Sequence, residues 1–359
     1  MKTMNSTSLF NLVRTQQSRL PEVDLENPGF GRIFSDHMLE VEYQGDAWQE
    51  GTIKPYGPIQ IEPSLNTLHY GQSVFEGTKA YYAGDDTVNL FRLEMNYERF
   101  CNSCERMCIP PVDREVFIEG IRELVRLDHE WVPRSPENAL YIRPLAFAFD
   151  MLIAARVSPK YRFYIITSPV GSYYSDPVRL ISSLKYVRAV KGGVGAAKTA
   201  ANYAASLYPA QKAKAMGYDQ VLWLDAMEHR YVEEVGTMNI FFVIDGTLVT
   251  APLGGTILPG VTRDSVLKLA RHWDLDVEER PLPIDEVMKA GREGRLQEAF
   301  GAGTAAVIAP VGLIHHDGET VEVHEESRGP IGKRLYDAIT GIQRGEREDP
   351  FGWITTIRI

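Results

Sequence analysis

Residues 192–199 read "GGVGAAKT", and the rest of the chain must fold differently according to how this octapeptide is read. It matches the phosphate-loop pattern G-x-x-x-x-G-K-[ST] except at Ala197, which stands where the last glycine belongs. In such a loop that glycine lets the backbone approach phosphate or take a positive φ, so a Cβ there weakens the match. Val221-Leu222-Trp223-Leu224-Asp225 has the look of a buried strand ending in a magnesium-binding acid. A nucleotide-binding domain, however, needs parallel strands fed by helices. Residues 218–252, "YDQVLWLDAMEHRYVEEVGTMNIFFVIDGTLVTAP", instead place strand candidates one after another through short turns, Asp245-Gly246 among them. That order predicts antiparallel hairpins, and it removes the magnesium role from Asp225.

The flanking sequence supports a mixed α+β, two-domain chain. With 359 residues, 44% of them hydrophobic and 24% charged, the chain can bury full cores. "HMLEVEY", "VNLFRL" and "ALYIRPLAFAF" read as strands, and residues 94–108 and 114–128 carry helical periodicity. "SPVGSYYSDPVRL" concentrates Pro, Gly and Ser, so residues 1–170 are expected to form a small α+β domain, 171–178 a connector and 179–359 a larger domain. The first 21 residues are expected to be a frayed arm.

Charge and cysteine content exclude several functions. The 48 acidic against 38 basic residues leave a formal charge of −10, which disfavours nucleic acid and anionic membrane as partners. No apolar run is long enough to span a bilayer. Cys101, Cys104 and Cys108 in "CNSCERMC" fall with Phe100 and Met107 at helical spacing and are expected to pack in a core, with no second ligand pair for a metal. Scarce cysteines suit a reducing compartment, and the expected location is the cytoplasm.

If Lys198 does not cradle phosphate, its neighbours allow another chemistry. Gly195, Ala196, Ala197, Ala200 and Ala201 leave room beside it for a flat ring, and partial burial favours the neutral amine that a Schiff base requires. In "EEVGTMN", Glu234 ends a strand before a Gly-Thr turn, where a carboxylate could hold the ring nitrogen of pyridoxal phosphate. "LPGVTRDSVLKLA" offers Thr262 as the cap of an amphipathic helix whose N-terminus suits a phosphate. "GAGTAAV" adds a small-residue turn with one hydroxyl, Thr304.

"LHYGQSVFEG", "YIRPL", "GGVGAAKTAANYAASL", "EEVGTMNIFFV", "LPGVTRD" and "GAGTAAVIAPVG" follow one another in the chain. In that order they resemble the successive signatures of branched-chain amino-acid aminotransferases, pyridoxal-phosphate enzymes of fold type IV related to D-amino-acid transaminase. The resemblance spans residues 30 to 355 and implies exchange of an amino group between leucine, isoleucine or valine and 2-oxoglutarate, which yields 2-oxo acids and glutamate. It implies Lys198 as Schiff-base lysine and proton carrier, Tyr203 on the cofactor's phenolic oxygen, Glu234 on its pyridine nitrogen and Leu258 on the ring face. Arg99, Thr237, Val261, Thr262 and Thr304 would hold the phosphate. Phe30, Phe75, Tyr141 and Tyr173 would wall an apolar substrate pocket, with Arg143 and the partner subunit's Tyr70 at its polar edge, and Tyr141, Ala305 and Ala306 toward the α-carboxylate. A homodimer is implied, and no metal. Within the family the rivals are a D-amino-acid transaminase and an aminodeoxychorismate lyase; outside it, a P-loop ATPase or a non-catalytic phosphate-binding module. Two departures stand out: Thr199 and Ala201 occupy positions where many relatives carry smaller residues, and "GTAAVIAP" lacks the C-x-x-C pair of some animal relatives.

Overall fold

The computed structural model describes residues 9–171, 176–323 and 328–359. Its contacts divide the described chain into two compact units, one running to Gly171 and including Gln343–Ile359, the other continuing from there to Ile342. Tyr173 lies outside the described residues.

In the first unit, a ten-stranded sheet is built among the described residues. Its main order is Phe10–Leu12, Gly51–Pro55, His37–Gln44, Tyr161–Val170, Ala139–Ala148, Thr78–Tyr82, Thr87–Phe91 and Ile354–Arg358. Ala139–Ala148 and Tyr161–Val170 pair antiparallel over their full length, Ala139 opposite Val170 and Ala148 opposite Tyr161. Helices Leu93–Arg106 and Arg114–Leu127 bury Phe100, Phe117, Ile121 and Leu124 against Leu39, Phe163 and Ile165 of the sheet. The second helix comes close enough that a Cβ on Gly120 would meet Ile165 at 3.1 Å.

Two expectations change here. The N-terminal arm is not frayed from residue 9 on: Phe10–Leu12 pairs parallel with Gly51–Ile53, Phe10 is buried, and Asp36 accepts hydrogen bonds from Ser18 Oγ and the Arg19 N–H. The cysteines do not share one fate. Cys104 is buried, and burial raises its thiol pKa, Cys101 is half-buried, and Cys108 is exposed just past the helix.

The second unit holds a nine-stranded sheet among the described residues. Gln220–Leu224, Val232–Val235, Met238–Ile244 and Thr247–Thr250 are successive antiparallel neighbours, as the hairpin reading of 218–252 predicts. The sheet is nevertheless mixed, because Val178–Ser182 runs parallel to both Gln220–Leu224 and Val307–His316. Since Val232–Val235 pairs on both sides, six strands close into a ring. Val235, Ile240, Phe242 and Val311 pack with Val287 and Met288 of helix Ile284–Arg292 to form the core. Asp225 caps the turn after its strand: its carboxylate accepts the N–H groups of Met227, Glu228, Arg230 and Tyr231, which outweigh burial and hold its pKa below the ordinary value.

The C-terminal residues belong with the first unit and not with the second half, where the sequence division put them. Ile354–Arg358 pairs antiparallel with Thr87–Phe91, and Ile357 is buried.

Candidate active site

Lys198 lies at the end of the loop leading into helix Ala200–Ala215, with Thr199 as N-cap. The small residues before it serve backbone packing: a Cβ on Gly195 would sit 2.8 Å from the Thr256 carbonyl carbon and closer still to its oxygen. This close approach fixes the loop beside residues 256–258. One turn into the helix, Tyr203 turns back, and the Lys198 Nζ donates to its Oη at 2.7 Å. Lys198 stands just before the N-cap Thr199, outside the helix, and its long side chain reaches the Tyr203 hydroxyl in the first turn from there.

Glu234 is fully buried on strand Val232–Val235. Its Oε1 accepts the Leu258 N–H at 2.7 Å and Asn239 Nδ2 at 3.3 Å, and its Oε2 lies 2.7 Å from Arg188 Nε. Burial pushes its carboxyl pKa up to about 7, while the Arg188 cation and the Leu258 N–H pull it down. Arg188 also donates to the carbonyls of Thr256 at 2.6 Å and Gly195 at 3.1 Å. A single guanidinium therefore ties the Lys198 loop, the 256–258 segment and the Glu234 strand together. Tyr203, Glu234, Thr237, Leu258 and Arg188 line one cleft.

Helix Val261–His272 begins at Gly260, which is its N-cap, and no side chain caps it. Thr262 is thus a buried first-turn residue and not the cap expected from sequence. A glycine is needed at 260 because a Cβ would press on the Asn239 amide, 3.2 Å from its Cγ. Thr304, Ala305 and Ala306 form the half-buried turn between strands Leu296–Gly303 and Val307–His316. The structure thus brings Lys198, Tyr203, Glu234, Thr237 and Leu258 together around the cleft.

In the first unit, Arg99 is buried on helix Leu93–Arg106 and does not behave as a solvated helix charge. Its Nε and Nη2 donate to the two oxygens of Glu76 at 2.7 and 2.8 Å, and Glu76 also accepts from Asn96 Nδ2 and the Gly77 N–H, each at 3.0 Å. Phe30, Phe75, Tyr141 and Arg143 converge: the Phe30 and Tyr141 rings lie 5.4 Å apart, and Arg143 sits over Phe75 at 4.5 Å and donates to Tyr141 Oη at 2.9 Å. Arg143 Nε is buried without a partner among the described residues. Tyr70 ends the short helix Asn66–Tyr70 and is 44% exposed.

A model of the amino-transferase class IV family matches residues 73–314. The chain is 48% identical to "Branched-chain-amino-acid aminotransferase 2" of Bacillus subtilis, over 96% of both chains. The chain belongs to the class IV aminotransferases, with the branched-chain-amino-acid aminotransferases. "Branched-chain-amino-acid transaminase 1" of the same bacterium is 49% identical over 93% of this chain and 95% of its own. Among solved structures, the T.th. branched-chain amino acid aminotransferase complexed with N-(5′-phosphopyridoxyl)-L-glutamate superposes with a TM-score of 0.69 at 29% identity, covering 88% of this chain and 97% of that one. The fold type IV architecture that the motifs implied is the one these class IV aminotransferases share.

Sequence reading missed three groups of this aminotransferase. Arg188 leaves a trace as a lone cation in the apolar run Tyr186–Val190. Glu76 and Asn239 stand inside the quoted motifs, but only the fold shows what they hold.

Proposed function

We propose that the chain catalyses pyridoxal-5′-phosphate-dependent exchange of an amino group between branched-chain L-amino acids and 2-oxoglutarate, giving 2-oxo acids and L-glutamate, as a homodimer in which each subunit's Tyr70 reaches its partner's pocket. The observation that carries this reading is the amine–phenol pair of Lys198 and Tyr203, whose tyrosine lines one cleft with the buried Glu234 carboxylate.

The residues suit the cofactor. Glu234 is held on both oxygens, yet its Oε2, met by Arg188, keeps a second lone pair for a ring N–H. The uncapped start of helix Val261–His272, with Thr262 in its first turn, suits a phosphate dianion. Bound there, pyridoxal phosphate would supply an aldehyde for the lysine and a pyridine ring able to take up the electron pair left at the substrate Cα.

The chain's own residues do the rest. The Lys198 amine removes the Cα proton and returns it on the other side of the exchange, with Tyr203 Oη fixing where the amine rests. Glu234 supplies a fixed negative charge, and Arg188 keeps that charge in place. Phe30 and Phe75 give leucine an apolar wall; Arg143, whose buried Nε has no partner among the described residues, gives the glutamate side chain a cation at the same pocket's edge. The T.th. relative in complex with a phosphopyridoxyl-glutamate adduct supports the same pairing of cofactor and amino acid.

Borohydride treatment of the purified yellow protein should bleach it and add cofactor mass to the peptide containing Lys198. Lys198→Ala should lose turnover by at least the ~10²- to 10⁴-fold that a general base contributes. Near-normal turnover in that variant would sink the reading.

A further inference from the structure

We propose that Gly77 is a positioning residue of the substrate pocket, shaping the seat in which the Tyr141 hydroxyl, and through it Arg143, is held. This rests on the reading of Tyr141 and Arg143 as carboxylate-facing groups and deepens it.

Gly77 lies between two ladders. Phe75 pairs with Leu145 just before it, and Thr78 and Lys79 pair with Ile142 and Tyr141 just after it. Tyr141 and Arg143 are two apart on one strand and so share a face. The phenol of Tyr141 runs along that face into the space a side chain at 77 would fill. A Cβ on Gly77 would stand 2.9 Å from Tyr141 Cζ and 3.2 Å from Cε2, and nearer still to the hydroxyl.

Backbone conformation is not what requires glycine here. Gly77 does not take a positive φ, so alanine could adopt the same backbone, and only the occupied space excludes it. Nor is the neighbour a loose chain end that could swing aside. Tyr141 Oη accepts from Arg143 Nη2 at 2.9 Å, the Tyr141 ring lies against Phe30, and Arg143 lies over both Phe75 and Tyr141, at 4.5 and 5.2 Å. Moving the phenol therefore breaks its hydrogen bond to Arg143 and tilts a pocket wall. A methyl group at 77 should act first on ligands that use both carboxylate-facing groups.

The test compares Gly77→Ala, Tyr141→Phe and the double variant in the holoenzyme. Two non-reacting ligands are titrated by calorimetry, glutarate with two carboxylates and 4-methylvalerate with one. Leucine and glutamate half-reactions are followed alongside, with Tm as a folding control. Gly77→Ala is expected to weaken glutarate by about 10-fold or more and 4-methylvalerate by less, and to raise the KM for glutamate more than the KM for leucine. Tyr141→Phe removes the nearest atom, so the double variant should lose much less than the product of the two single effects. A full product would mean that Gly77 acts elsewhere and would overturn the proposal. An effect of Tyr141→Phe without any effect of Gly77→Ala would also overturn it while leaving the pocket reading intact; no effect of Tyr141→Phe would overturn both. Should Gly77→Ala fail to fold, Tyr141→Ala in the same chain removes all three close atoms and must restore folding, and failure to restore it refutes the seat.

Discussion

At the scale of single residues, Glu234 combines a buried charge with a fixed set of partners. In an unfolded chain its carboxyl would titrate near 4.5, whereas burial pushes it up to about 7 in the fold. Between those pH values the folded chain keeps a proton that the unfolded chain has released. Stability must therefore fall as pH rises through this window and carry no further Glu234 dependence above it, a change of up to about 3 kcal/mol. Urea unfolding of the cofactor-free protein from pH 4.5 to 8 should show this slope, and Glu234→Gln should flatten it. An unchanged slope would assign the effect to Glu233, whose carboxyl is also raised by burial and whose Oε2 is buried without a partner among the described residues. Sequence made Glu234 visible through its place before a Gly-Thr turn. The environment that sets its proton affinity comes from residues 24 and 46 positions away, Leu258 and Arg188, and no local pattern carries that.

At the scale of elements, Arg188 shows why an aminotransferase loop of small residues keeps one shape. Three segments meet at its guanidinium: the carbonyls of Gly195 and Thr256 and the Glu234 carboxylate. Arg188→Ala removes the cation that pulls the Glu234 pKa down, so the buried carboxyl holds its proton to higher pH, and the hydrogen bonds left unmade at Glu234, Thr256 and Gly195 should cost about 1–3 kcal/mol of stability. Arg188→Lys should recover only part of this, because an ammonium lacks the planar fork that reaches these three acceptors at once. Denaturant midpoints of the two variants would measure the difference, and full recovery by lysine would mean that charge alone matters. The hairpin run of 218–252 was legible because turn residues and strand periodicity are local signals. The parallel pairing of Val178–Ser182 with strands on both sides was not, since its partners lie far along the chain. Thr262 was misread as a cap for a related reason: hydroxyl residues favour caps, but Gly260 holds that place because the Asn239 side chain fills the space a Cβ would need.

At the scale of the whole molecule, the chain's last strand returns to the sheet of its first half. Thr356 Oγ1 donates to Asn89 Oδ1 at 2.8 Å across 267 positions of sequence, and Ile357 lies opposite Val88, both buried in the first unit's core. Local composition near residue 354 shows a short strand and says nothing of which sheet receives it, which is why a division by sequence kept it with the second half. The pairing makes a prediction of its own. Ile357→Ala removes buried methyl groups and leaves a cavity against Val88, for an expected cost of about 2–5 kcal/mol. Because the strand is an edge partner of Thr87–Phe91, its loosening should be felt first by the neighbours it pairs with and covers. Hydrogen exchange followed by mass spectrometry should show faster exchange in Thr87–Phe91 and Thr78–Tyr82 of the variant, with the change declining toward Tyr161–Val170 deeper in the sheet. Unchanged protection in Thr87–Phe91 would mean that the C-terminal strand only lies along that edge and does not help to hold it.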